Sequence, residues 1–114
     1  MDFRALTVGA TLYLPVLHSG ARFYVGDPHG VQGDGEVSGN ALEQSLTGVF
    51  RFVVHKGKTI AAPRAENATH HIVMGIDVDL DRSMKLAVAE GREIPRGGER
   101  ADAGQSDVAV QHCR

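Results

Sequence analysis

Cysteine is almost absent from the chain. The single Cys113, among polar residues near the end of 114, excludes an internal disulfide and a thiolate-rich zinc site and reads as an exposed bystander. Long apolar runs are missing too: nothing approaches the ~20 residues that cross a bilayer. No basic-then-apolar leader pattern opens the sequence either, so a cytoplasmic protein with no membrane partner is the expectation. A net charge of −2 offers nucleic acid no electrostatic attraction. What remains is the composition of a soluble globular chain, large enough for one domain and one core.

Chemistry concentrates in one stretch. Gly26-Asp27-Pro28-His29-Gly30-Val31-Gln32-Gly33-Asp34-Gly35-Glu36 sets three acids, a histidine and a glutamine among four glycines and a proline. Glycine reaches φ > 0 and admits close approach, while proline fixes its own φ, so a tightly turning loop lined with polar groups is expected. Asp27 and His29 are two apart, as are Asp34 and Glu36, and extended backbone puts each pair on one face. Carboxylate oxygen and imidazole nitrogen are donors for Zn²⁺ or a similar divalent ion, and a further carboxylate can take a proton from water. The same composition also describes a plain connection, since Asp and Gly are common turn residues. The stretch lacks the spread acidic positions of an EF-hand. It also lacks the Gly-Lys-Ser/Thr ending of a phosphate loop, and its negative charge repels phosphate.

Around this loop the pattern is mostly β. Thr11 to Leu17 reads as a strand in which Pro15 argues for an edge or a bulge, and Ala21 to Val25 reads as a second strand feeding the loop. Glu36 to Glu43 is ambiguous between strand and irregular structure. Leu46 to His55 alternates as a strand with one apolar face. Lys56-Gly57-Lys58 supplies a turn, Thr59 to Ala62 a returning hairpin arm, and His55 a solvated position at the hairpin end. In Thr69 to Ile76 the period of two puts His70 with Ile72, Met74 and Ile76, which makes it a core histidine first and a site residue second. Asp79 or Asp81 caps a helix whose stripe of Leu80, Met84, Ala87 and Val88 should pack on a sheet, with Gly91 as its stop. The expected class is α+β: mainly antiparallel β, a sandwich-like sheet with one packed helix. Residues 1–91 form the domain. Residues 92–114 read as a polar, disordered tail with at most a short strand near Val108.

The loop and its flanks, Gly20 to Gly39, resemble the acetamidase/formamidase family of amide hydrolases. The family's Leu-Tyr-Leu-Pro-Val strand is matched by Leu12 to Val16. Its Val-Gly-Asp-x-His-x-x-Gln-Gly-Asp-Gly-Glu-Val segment is matched by Val25 to Val37 at every fixed position. Thr69-His70, Met74-Gly75 and Asp79-Leu80-Asp81 also look like the family, so the likeness covers about Asp2 to Glu90. Family members are longer, and beyond Glu90 the likeness ends, so the expectation is a central fragment of such an amidase. The resemblance implies hydrolysis of a short linear amide, formamide or acetamide, to carboxylate and ammonia with a divalent ion. Asp27, His29 and Asp34 are then the metal-facing residues, Glu36 the acid/base, Gln32 an orienting group and His70 a weaker candidate. The alternative is an inactive or partner-dependent remnant, prone to homo-oligomerise or self-associate through exposed sheet edges.

Overall fold

The computed structural model describes residues 3–94 and 107–113. Seven strands and one helix follow in chain order: β1 (Thr11–Pro15), β2 (His29–Gln32), β3 (Ala41–Glu43), β4 (Val49–Val54), β5 (Arg64–Glu66), β6 (His71–Val73), α1 (Leu80–Arg92) and β7 (Asp107–Cys113). Five of the strands form one sheet in the order β4-β7-β1-β5-β6, and β2 and β3 form a separate ribbon. Every pairing is antiparallel, so the chain is α+β with β dominant, as its alternation implies.

Apolar β-branched and aromatic residues build the sheet, but β1 lies inside it. Pro15 is tolerated there because β5 pairs only with Thr11 to Tyr13, so the proline lies past the end of that ladder. On its other side β1 pairs along its whole length with β7, from Thr11 opposite Gln111 to Pro15 opposite Asp107. β7 also pairs with β4, from Val49 opposite Cys113 to Val54 opposite Val108. The strand expected near Val108 is therefore seven residues long and lies inside the sheet, between β4 and β1. Residues 95–106 and 114, the rest of the expected tail, lie outside the described residues.

Three local expectations change. Ala21 to Val25 runs without a strand partner, exposed throughout, and is held instead by Phe23, whose ring meets Phe52 edge-on at 4.9 Å. Thr59 to Ala62 forms no hairpin arm, and β4 stays at the sheet edge with β7 as its partner. His55 is half-buried, its ring 6.4 Å from that of Tyr13.

Burial is shallow. Among the described residues only Ala10 and Ala65 are buried apolar residues, where the start of β1 meets β5. Polar ties add order: Tyr13 donates to Glu66 at 2.8 Å across β1 and β5. Arg64 of β5 grips Glu90 of α1 through Nε at 2.8 Å and Nη2 at 2.7 Å. Both partners of that two-point ion pair are largely shielded, so removing one would cost about 1–3 kcal/mol.

The helix begins where Asp79 accepts a hydrogen bond from the Arg82 amide, which settles the cap, and it runs one residue past Gly91. It meets the sheet through Ser83, Ala87 and Glu90. A Cβ placed on Gly75 would lie 1.8 Å from the Ser83 carbonyl oxygen, and Ser83 Oγ donates to the Gly75 carbonyl at 2.6 Å. Of the expected stripe only Ala87 faces inward, while Leu80, Met84 and Val88 stay exposed. The small residues win the contact face because they allow backbone to approach backbone.

Candidate active site

The acidic loop is half ribbon. β2 lies inside it and pairs with β3, His29 opposite Glu43 and Gln32 opposite Ala41, with a bulge between His29 and Val31. Gly30 occupies the bulge, where the Gln44 side chain fills the space a Cβ would need. The ladder extends by one bond, from the Gln44 amide to the Pro28 carbonyl at 3.2 Å. Asp34–Glu36 form a single 3₁₀ turn that reverses the chain toward β3.

This ribbon assembles the site. His29 Nε2 lies 3.2 Å from Asp27 Oδ1 and 3.0 Å from Glu43 Oε2. One donor atom from each of the three residues lies within 4.8 Å of the others. The imidazole is nearly buried, with 6% of its side chain exposed, while Asp27 and Glu43 open to solvent at 67% and 61%. One nitrogen facing two carboxylates requires a hydrogen or a metal ion between them, because its bare lone pair would be repelled by both. A ring with its hydrogen on Nε2, neutral or charged, satisfies that requirement, and so would a divalent ion.

The electrostatics agree. Burial pulls the His29 pKa down, but the Gln32 hydrogen bond, the Glu43 charge and the Asp27 contact together outweigh it and hold the pKa above its ordinary 6.5. Gln32 also donates to Glu36 Oε2 at 3.2 Å, which ties the far end of β2 to the 3₁₀ turn. Asp27 and Glu36 carry the two positive φ values among the described non-glycine residues, 59° and 43°. Such conformations are held only where surroundings over-determine them, and they cluster at functional sites.

Each expected residue has a definite place. Asp27, His29, Gln32 and Glu36 come together. Asp34 turns away, 81% exposed, and pairs with Arg4 Nη2 at 2.8 Å. His70 precedes β6 and is exposed, its Nδ1 2.7 Å from Thr69 Oγ1 in a turn organised by Asn67, so the core position expected for it is not taken. Glu43 is the residue that sequence reasoning missed. The glycines from Gly33 to Gly39 mark the turn of a hairpin, and pairing its arms places Glu43 across from His29.

A groove of about 910 Å³ opens beside these groups, between the segment before β1, the approach to β2 and the entry to β4. Asp27, His29 and Gln32 line it together with Phe23, Phe50 and Leu46.

Fold and site together define a β-rich domain that sets one imidazole between two carboxylates at the side of an apolar groove. The chain belongs to the Acetamidase/Formamidase family, whose model matches residues 1–96. No curated protein and no solved structure matches it. Among the described residues no helix is long and apolar enough to cross a membrane.

Proposed function

We propose that this cluster is the reaction centre of a linear amide hydrolase, which adds water to an amide and releases a carboxylate and ammonia. The observation that carries the reading is His29 Nε2 held between Asp27 and Glu43, inside the segment that matches the amidase family. Asp27, His29 and Glu43 would hold a divalent ion. Tetrahedral ligands ~2.1 Å from Zn²⁺ stand about 3.4 Å apart, close to the two distances His29 makes here. When bound, the ion would polarise the amide carbonyl and ease deprotonation of water. Asp34 keeps a place in the set only if its pair with Arg4 opens.

The remaining steps belong to the chain. Glu36 is the acid/base, able to accept a proton from water and return it to the departing nitrogen. Gln32 fixes the Glu36 carboxylate by its hydrogen bond. Two strained backbone positions keep Asp27 and Glu36 aimed without freedom to drift.

For formamide or acetamide the limit is enclosure. A ligand gains at most ~1.5 kcal/mol per non-hydrogen atom when fully surrounded, so the three of formamide bind at roughly millimolar strength at best and the four of acetamide at roughly tens of micromolar. A groove of about 910 Å³ does not surround three or four atoms. This openness favours a second reading, in which the isolated chain turns over these small amides slowly unless another protein surface closes the groove. An ammonia-release assay with formamide and acetamide, Zn²⁺ added and Glu36→Gln alongside, tests both. Release abolished in Glu36→Gln supports the hydrolase, and release equal in the two proteins overturns it. Robust turnover by the isolated chain removes the need for a closing partner.

A further inference from the structure

The groove is far larger than the amide group that the cluster can address, and its walls have a definite chemistry. Three segments build it: Phe3 to Ala10 before β1, Phe23 to Gln32 leading through β2, and Leu46 to Phe50 at the entry to β4. Asp27, His29 and Gln32 supply polar groups from the middle segment. The other two segments are mainly aliphatic and aromatic; among the described residues Arg4 is the one lysine or arginine in the lining, and its guanidinium is engaged by Asp34. Phe23 stands edge-on to Phe52 at 4.9 Å and 6.0 Å from Phe50, so the aromatic rings gather on one side of the groove.

From this lining we infer that the site accepts linear amides with an apolar acyl group larger than methyl, the amide at Asp27 and His29 and the acyl chain along Phe23, Leu46 and Phe50. The inference rests on the amidase reading and adds the substrate class to it. The reaction stays balanced: water attacks the carbonyl carbon, the C–N bond breaks, and the products are the longer carboxylate and ammonia. Volume supports the class, because cavities of ~300–1,000 Å³ suit ligands of many more atoms than acetamide. The wall chemistry supports it as well, since an acyl chain removes apolar surface from water on both sides. Anionic acyl groups are disfavoured, because among the described residues the one lining guanidinium, Arg4, already pairs with Asp34.

The test is a series of formamide, acetamide, butyramide and hexanamide, assayed by ammonia release with the Zn²⁺-supplemented chain, together with calorimetric binding of each amide. The expected result is a rise in kcat/KM of up to about fourfold per added methylene, which is ~0.8 kcal/mol each. In Phe23→Ala and, independently, Leu46→Ser, the hexanamide-to-acetamide ratio should fall several-fold. Hexanamide no better than acetamide overturns the inference and leaves the amidase reading standing. If no amide is hydrolysed, the amidase reading fails, and the binding series decides the groove: affinity that climbs with acyl length supports it, and flat or undetectable binding overturns it.

Discussion

The five-stranded sheet with its helix and the β2–β3 ribbon solve different problems with the same chain. In the sheet, registers fix strand to strand, Arg64 clamps α1, and Gly75 lets the helix backbone rest against the chain after β6. Little chemistry is exposed for use there: Glu66 is bonded by Tyr13, and Glu90 by Arg64. In the ribbon almost nothing apolar is buried, two non-glycine residues hold positive φ, and charges of one sign crowd around a single imidazole. The difference teaches that order in this ribbon comes from hydrogen bonds and charge rather than from a core. Any cation placed among Asp27, His29 and Glu43 therefore acts as the ribbon's missing core.

The division can be broken most forcefully from the sheet side. Gly75→Ala puts a Cβ onto the Ser83 backbone, which cannot yield as a flexible side chain could, and should lower stability by about 3 kcal/mol in a urea melt. A loss below ~0.5 kcal/mol would show that α1 is not seated as described. Next in size is His29→Ala. With the central donor gone, Zn²⁺ affinity by calorimetry should fall by about 100-fold, and equal affinity would remove His29 from the ligand set.

Glu43→Gln against Asp34→Asn sharpens the ribbon itself. The first should weaken Zn²⁺ by about 10-fold or more, while the second, whose carboxylate pairs with Arg4, should stay within about threefold. The reverse ranking would restore the ligand set that spacing suggested. The smallest effect concerns pH in the metal-free chain. Because folding raises the His29 pKa above 6.5, its stabilising contribution is fully present below about pH 6.5 and fades as pH climbs through the raised value. In EDTA, the stability advantage of the parent over His29→Gln should shrink from pH 6 toward pH 9. An advantage that grows with pH would contradict it.

Much of this was legible in the residues. The alternation of Phe50 and Phe52 with Arg51 announced β4, the pair Asp79 and Asp81 announced the helix start to within two residues, and the fixed positions from Val25 to Val37 announced the family. What sequence missed was set by partners distant along the chain. Ala21 to Val25 has strand-forming residues but no neighbour to pair with, and β4 pairs with residues 107–113 rather than with Thr59 to Ala62. Glu43 carries no local mark of function; only its register opposite His29 gives it one. The helix stripe misled because hydrophobicity favours the wide apolar face, whereas Ser83 and Ala87 offered the closer fit.

The position of β7 between β4 and β1 also governs the order in which the molecule can be made. β1 and β4 both precede it in synthesis, yet they do not pair with each other, and each completes its ladder against residues 107–113. Until those residues emerge, two apolar strand edges stand open, so the sheet closes late through contacts that span nearly the whole sequence. Such closure is slow and leaves the nascent chain exposed to pairing with strands of its neighbours, which makes the last-formed strand the guard against misassembly.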